Sequence, residues 1–139
     1  MLVLDTDHFS ELERNSAAGQ RLTGRLDACR MAIAVTVVTL EEQMRGWLAE
    51  INRHQNPHRQ ITAYTKLQRQ IEVFTDWMIF PWDTDSAELF LDLRRQGVRI
   101  GSMDLKIACI TLAHNATLLT RNSGDFVQVS GLQIENWLD

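Results

Sequence analysis

The sequence predicts an α/β fold in which helices cover both faces of a parallel sheet of about five strands. Short apolar runs alternate along the chain with longer segments of helical periodicity. The run Met31–Thr36 is apolar on both faces, as expected of a central strand in a parallel sheet. The segment Met103–His114 is apolar around most of its circumference, which indicates a buried helix. Strands that alternate with helices favour right-handed crossovers and hence parallel pairing.

The remaining elements follow from the same periodicities. Further strands are predicted at Leu2–Leu4, Met78–Phe80, Ala116–Thr120 and Leu132–Ile134. Further helices are predicted at about 7–14, 17–29, 39–53, 58–76 and 85–97, with a short helical turn at 122–126. Thr39 and Glu42 have the spacing of a capping box, and Ser102 can cap the buried helix. Each of the first four strands is therefore followed by a helix.

Length and composition indicate one soluble domain spanning residues 1–139. The chain is 45% hydrophobic and 23% charged, which is ordinary for a globular protein. No apolar run is long enough to span a bilayer, and Met1 leads directly into the first strand, so neither a membrane anchor nor a signal peptide is predicted. Cys29 and Cys109 lack metal-binding spacing and are interpreted as free buried thiols. We therefore expect a cytoplasmic protein.

The charge distribution is uneven. The net charge is −4, yet the segment 45–70 contains five basic residues and one acidic residue and carries +4. Twelve of the fourteen cations are arginine, a side chain that binds phosphate or carboxylate through paired N–H groups. This pattern is compatible with a solvated helix face and with a surface that contacts RNA or an acidic partner.

Acidic residues follow the predicted strands or begin the helices after them. Asp5 follows the first strand, Glu41 and Glu42 follow the second, and Asp104 and Asp125 begin helical segments. In open α/β sheets, ligands bind beyond the carboxyl ends of the strands, where such residues converge. A cluster of carboxylates without His or Cys suits Mg²⁺ or Mn²⁺. Two such ions can hydrolyse a phosphodiester without a protein nucleophile.

The motifs that carry these acids resemble those of a known family. They are LVLDTD at residues 2–7, TVVTLEEQMRG at 36–46, DLKIACITLA at 104–113, and TRNSGDF at 120–126 followed by GLQIENW at 131–137. In this order and spacing they resemble the PIN domain, and specifically the VapC-type toxins of prokaryotic toxin–antitoxin pairs. The resemblance implies a PIN-like three-layer α/β/α fold with a five-stranded parallel sheet. It also implies a Mg²⁺- or Mn²⁺-dependent endoribonuclease, a homodimer and a cognate antitoxin protein.

The resemblance assigns site residues by position. It points to Asp5, Glu42 and Asp104 as metal ligands of the catalytic centre. The fourth metal ligand of the catalytic centre is expected to be Asp125, while Asn122, at the other position that family members use, is neutral. Three residues depart from the family pattern, namely Asp7 in place of Asn, Glu41 as an additional acid and Gln43 in place of an apolar residue.

Each acid also has a structural interpretation. Asp5 could cap a helix, Asp104 could interact with a helix dipole, and Glu42 could belong to the capping box begun by Thr39. Asp125 could pair with Asn122 as a cap. Asp7 remains open between metal ligand, outer-shell partner and helix cap. Adjacent helical residues point about 100° apart, so Glu41 and Glu42 cannot both face one small site. The resemblance places the family's acid at Glu42, four residues before Gly46, and we therefore expect Glu42 to face the site and Glu41 to lie at its flank.

Other polar and aromatic residues are assigned as follows. Arg121 and Lys106 are near the acids in sequence and are candidates for stabilising phosphate charge. The four histidines share no motif and are predicted at the surface or at its boundary, at positions 8, 54, 58 and 114. The four tryptophans, at 47, 77, 82 and 137, are interpreted as core or interface anchors rather than as base-stacking platforms. An antitoxin groove is expected near Arg45 and Arg53.

We expect a metal-dependent endoribonuclease that acts on RNA as the toxin of a type II pair. One alternative is a PIN nuclease of RNA maturation, and another is an inactive PIN-like interaction module, against which the intact acids argue. A receiver-type phosphoacceptor is excluded because that family needs an Asp after its third strand and a Lys after its fifth. Here Phe80 is followed by Pro81, and Ile134 by Glu135.

Overall fold

Five short parallel strands form the central sheet of the computed structural model, which describes all residues, 1–139. The strands are β1 (Leu2–Leu4), β2 (Ile33–Thr36), β3 (Met78–Phe80), β4 (Thr117–Leu119) and β5 (Gln133–Glu135). Their order in the sheet is β3-β2-β1-β4-β5, and every pairing is parallel. The predicted fold class is confirmed. Because β1 is central, whatever follows Leu4 lies between the ends of β2 and β4.

Seven helices connect the strands. They are α1 (Thr6–Arg14), α2 (Ala17–Cys29), α3 (Val37–Asn52), α4 (Ile61–Phe74), α5 (Thr84–Arg95), α6 (Ser102–Ala113) and α7 (Ser123–Phe126). Two predicted caps are wrong. Thr36 rather than Thr39 caps α3, since its side chain accepts the backbone N–H of Thr39, and Ser102 is the first residue of α6 rather than its cap. Strand β2 therefore leads into α3 without an intervening loop.

The two faces of the sheet bury separate apolar clusters. Alternate residues of a strand point to opposite faces. Val3, Ala34 and Leu118 face the cluster that includes the buried side of α6. Leu4 and Leu119 face the cluster that includes apolar residues of α1 and α2. This arrangement confirms the three-layer architecture.

The packing explains the residue type at Gly19 and the buried state of the Cys109 thiol. A Cβ on Gly19 would lie 2.1 Å from the carbonyl oxygen of Glu11, so only glycine allows α2 to approach α1 this closely. Cys109 is buried, and burial raises the pKa of its thiol to about 11, as expected of an unreactive core thiol. Neither cysteine forms a disulfide. None of the helices has the length and apolar character needed to cross a membrane.

Candidate functional site

Asp5 lies at the carboxyl end of the central strand and is 7% exposed. Its Oδ1 accepts the backbone N–H of His8 at 2.8 Å, which makes Asp5 the N-cap of α1. Its carboxylate also lines a cavity at this edge of the sheet. Capping and a place in the site, which the sequence presented as alternatives, therefore occur together.

Glu42 is held against the start of α1 by two threonine hydroxyls. The hydroxyl of Thr6 donates to Oε1 of Glu42 at 2.6 Å, and the Oγ1 atoms of Thr6 and Thr39 are 3.1 Å apart. A threonine has one hydroxyl proton, and a carboxylate can only accept, so Thr39 donates to Thr6. This chain of hydrogen bonds fixes one oxygen of Glu42. Glu41 instead forms an ion pair with Arg45 at 2.6 Å.

Asp104 lies in the first turn of α6, where burial and the other acids of the site raise its pKa. Burial raises the pKa of Asp104 from its ordinary value of 3.8, and the negative charges of Glu42 and Asp5 raise it further. Asp125 contributes a smaller increase in the pKa, while the hydrogen bond from Asn122 lowers it. Such mutual repulsion shows that the acids predicted from separate motifs share one electrostatic environment.

Asn122 links the last two acids. Its Nδ2 donates to Asp104 at 3.3 Å and to Asp125 at 3.0 Å. Its backbone N–H donates to Oγ1 of Thr120 at 2.9 Å, which fixes the turn after β4. Asn122 is at the N-cap position of α7, but its side chain makes no capping bond. The neutral residue at the family's alternative acid position therefore bridges two carboxylates.

These residues surround a cavity of about 350 Å³, which we call the acid pocket. No apolar residue lines it; its walls are Asp5, Thr6, Asp7, Ser10, Arg14, Glu42, Asp104, Arg121 and Asn122. Asp125 is not part of the wall and is linked to it through its hydrogen bond from Asn122. Arg121 contributes positive charge and pairs with Asp7 at 3.4 Å. Lys106 is not part of the wall, because its ammonium lies 5.6 Å from the ring centre of Trp82.

The donor set of the acid pocket fits a hard divalent cation. Asp5, Glu42 and Asp104 offer carboxylate oxygens, and no His or Cys lines the wall. Oxygen ligands of this kind suit Mg²⁺ and Mn²⁺. No three His, Cys, Asp or Glu side chains are arranged so that they could hold one ion as they stand.

A larger groove of about 710 Å³ adjoins the acid pocket, and Glu42 lines both. We call it the helical groove, since its walls are the facing sides of α3 and α4 and the segment between them. It presents the Trp47 ring and the cations Arg59 and Lys66, while Gly46 leaves a gap in the α3 wall. The predicted groove residues Arg45 and Arg53 do not line it. Arg45 pairs with Glu41, and Arg53 pairs with Glu50, a carboxylate that itself lines the groove.

The sequence prediction for His8 is wrong. Its side chain is fully buried, and its ring contacts Oδ1 of Asp5. His114 is half-buried, as predicted for a boundary residue, and its ring stacks on Phe80 with centroids 3.7 Å apart. The spacing of three between Asp5 and His8, at a helix start, is the one sequence signal that could have indicated a contact. Thr6, Ser10 and Arg14 were also missed; they follow Asp5 on the same helix.

Comparison with known proteins finds relatives among the VapC ribonucleases. The chain is 31% identical to ribonuclease VapC2 of Rickettsia felis over 105 residues, which cover 76% of this chain and 74% of the relative. It is 27% identical to the tRNA(fMet)-specific endonuclease VapC of Shigella flexneri, over 97% of this chain and 96% of the relative. It resembles a chain of VapBC-1 from nontypeable Haemophilus influenzae with a TM-score of 0.76 and 25% identity, over 99% and 98% of the two chains. No protein-family model matches the sequence.

Proposed function

This chain belongs to the VapC family of ribonucleases, and from that premise we propose that it is a toxin endoribonuclease that hydrolyses RNA phosphodiester bonds at the acid pocket. The observation that supports the proposal is the convergence of Asp5, Glu42 and Asp104, from three separate segments, on one wholly polar cavity. Such a cavity has little use in a protein that only supports a partner, because clustered carboxylates repel one another.

We propose that these three carboxylates hold Mg²⁺ or Mn²⁺, with Asp125 supporting the site through Asn122. When bound, such an ion lowers the pKa of a coordinated water and offsets the charge that develops on the phosphate. Thr6 orients Glu42, and Asn122 orients Asp104, so the chain itself fixes the direction of each ligand. Arg14 and Arg121 in the pocket wall attract the phosphate backbone of the RNA.

The helical groove is the proposed path of the RNA strand toward the acid pocket. Arg59 and Lys66 supply positive charge beside the carboxylates of Glu42 and Glu50. The Lys66 ammonium lies 5.4 Å from the centre of the Trp47 ring, so a base that stacks on this face would displace the ammonium toward the phosphates. The groove meets the acid pocket at Glu42, so a strand that lies in it passes the cleavage site. A cognate antitoxin segment in the same groove would exclude RNA, which is the simplest way in which an antitoxin partner could silence this enzyme.

The function is tested by cleavage of RNA that contains single-stranded loops, with a tRNA as one substrate. Purified protein is expected to cut in Mg²⁺ or Mn²⁺, to stop with EDTA, and to resume when excess Mn²⁺ is added. Calorimetric titration with Mn²⁺ provides a readout that does not depend on the choice of RNA. Cleavage that persists unchanged in EDTA would contradict the metal-dependent mechanism.

The gap at Gly46 gives a prediction for the groove. A Cβ at this position would meet nothing within 4 Å, so a larger residue fits the helix but fills the groove. Gly46→Leu is expected to raise stability by up to about 1 kcal/mol, because leucine favours helices over glycine. It is expected to slow RNA cleavage on the order of tenfold, which corresponds to about 1.4 kcal/mol. Thermal unfolding and single-turnover cleavage provide the two measurements.

Gly24→Leu is the matched control for this prediction. Gly24 is exposed in the interior of α2, a Cβ there also meets nothing within 4 Å, and it lines neither the acid pocket nor the helical groove. It should stabilise the protein similarly and leave cleavage unchanged. Equal activity of the two variants would show that the RNA does not use the helical groove.

We also propose a symmetric homodimer through the outer face of α4. Ile61, Tyr64 and Ile71 lie on one side of this helix and are 57%, 54% and 48% exposed. Apolar side chains grouped in this way indicate a protein contact surface. Light scattering at micromolar concentration should give twice the chain mass, whereas a monomeric mass would contradict the dimer.

A further inference from the structure

His8 joins the acid pocket to the segment after β5. Its ring Nδ1 lies 3.1 Å from Oδ1 of Asp5, and its Nε2 lies 3.2 Å from the backbone nitrogen of Trp137. The side chain is fully buried, and Trp137 is 8% exposed. Both ring nitrogens therefore have a partner inside the protein, and no water is needed to satisfy them.

The two contacts determine where the ring proton lies. The backbone nitrogen of Trp137 can only donate, so Nε2 of His8 is the acceptor and carries no proton. The proton must then lie on Nδ1, which donates to Oδ1 of Asp5. The contact between His8 and Asp5 is thus a hydrogen bond from a neutral ring, and the backbone of Trp137 fixes its direction.

This arrangement leaves Asp5 with two chemically different oxygens. Oδ1 accepts two N–H groups, both from His8, at 2.8 Å from the backbone and 3.1 Å from the ring. Oδ2 accepts no hydrogen bond from the protein, although Asp5 lines the acid pocket. The backbone donor alone would satisfy the capping role. The second donor restricts rotation of the carboxylate.

We infer that His8 is a positioning residue, which holds Asp5 so that Oδ2 remains free for a divalent cation in the acid pocket. The inference rests on the proposed function. His8 touches neither the RNA nor the ion and acts only through Asp5. Outer-shell hydrogen bonds of this kind change metal affinity or activity by about 10- to 100-fold.

Two substitutions separate the hydrogen bonds of His8. Asparagine places an amide nitrogen where Nδ1 lies and keeps the donor to Asp5, but it is too short to reach Trp137. Glutamine places its terminal oxygen where Nε2 lies and keeps the acceptor for Trp137, but it lacks the donor to Asp5. The binding of Mn²⁺ by calorimetry, single-turnover RNA cleavage and the thermal midpoint are measured for both variants and for the wild type.

His8→Gln is expected to lose about tenfold or more in Mn²⁺ affinity and in cleavage rate while it remains folded. His8→Asn is expected to retain both within about threefold, although its midpoint falls because the Trp137 N–H loses its acceptor. Rescue of metal binding by the less stable variant cannot arise from a structural role alone. If only one variant folds, its Mn²⁺ affinity tests the inference. His8→Asn must retain the wild-type affinity, and His8→Gln must lose it.

Three results would overturn the inference. They are equal Mn²⁺ affinity in both variants, losses that follow the thermal midpoint, and a larger loss with Asn than with Gln. A wild-type protein that neither binds Mn²⁺ nor cleaves RNA would overturn the proposed function, and this inference with it. A wild type that does both, beside two variants that match it, would overturn the role of His8 alone.

Discussion

Asp104→Asn is expected to reduce RNA cleavage by at least about 100-fold, which corresponds to about 2.7 kcal/mol of transition-state stabilisation. The substitution removes a negative ligand from the acid pocket and changes almost no volume. Asn can still occupy the first turn of α6, so the fold should be retained. Single-turnover cleavage in Mn²⁺ and circular dichroism measure the two effects.

The same substitution should not destabilise the metal-free protein at neutral pH. Burial, followed by the charges of Glu42 and Asp5, raises the pKa of Asp104 above 3.8. The folded state thus binds this proton more tightly than the unfolded state, and the contribution of Asp104 to stability falls as pH rises from 3.8 through the raised pKa. Asp104→Asn removes that loss. Its stability relative to the wild type should therefore increase over this pH range and be largest above it.

Asp85→Asn is the matched control, because Asp85 is also an acid in the first turn of a helix and lies outside the acid pocket. It should leave cleavage close to that of the wild type, because it removes no charge from the acid pocket. Thermal midpoints in EDTA from pH 4 to 8 provide the comparison. A large drop in the midpoint of Asp104→Asn at pH 7, or cleavage equal to the wild type, would identify Asp104 as structural.

Glu42→Gln should slow cleavage by at least about tenfold, or about 1.4 kcal/mol, and Glu41→Gln should have a much smaller effect. Glu42 lines the acid pocket and accepts the Thr6 hydroxyl at 2.6 Å. Glu41 is turned toward Arg45, with which it pairs on a part of α3 that is open to solvent. An exposed pair of this kind contributes little to stability, so neither substitution should unfold the protein.

The two glutamates are adjacent, carry the same charge and differ only in direction, which makes Glu41→Gln a strict control for Glu42→Gln. Single-turnover rates at saturating Mn²⁺ compare the chemical step directly. Should Glu41→Gln prove the more damaging, the orientation of α3 assigned to the site would be wrong, and with it the role of Thr6.

The convergence of the acids could be predicted because it depends on the order of the strands in the sheet and not on where each strand ends. Asp5 follows β1, and the turn that contains Asp125 follows β4, its neighbour in a parallel sheet. Residues that follow neighbouring parallel strands share one edge, whatever the exact ends of the strands. The separation of Glu41 from Glu42 could be predicted for a similar reason, since helical geometry fixes their relative directions.

Helix starts were harder to predict, because the same local pattern occurs twice. Thr36 and Thr39 each precede residues that a helix cap could serve. The choice between them depends on where β2 ends, and that is set by its pairing with β3, where Thr36 lies opposite Phe80. The helix predicted at about 58–76 from its apolar periodicity is confirmed as α4. Its spacing, however, does not reveal that Ile61 and Tyr64 remain exposed while Ala63 is buried.

The role of His8 could not be predicted from its sequence neighbours. Its second partner is a backbone N–H, which has no signature in the sequence, and it lies 129 positions away. Histidine is intermediate in its tendency to be buried, so the residue type alone does not predict a fully buried ring. Only the folded chain shows that a residue after the edge strand β5 completes the support of an acid after the central strand β1.

This long-range closure has a consequence for the timing of synthesis. Ribosomes add about 5–20 residues per second, so the 129 positions between His8 and Trp137 take roughly 6–26 s to translate. Throughout that interval the nascent chain already contains Asp5 but lacks the backbone group that orients its histidine. Asp104 and strand β4 also emerge late. Because Asp104 and β4 are needed to complete the acid pocket and the sheet, the site can form only late in synthesis, well after Asp5 has been made.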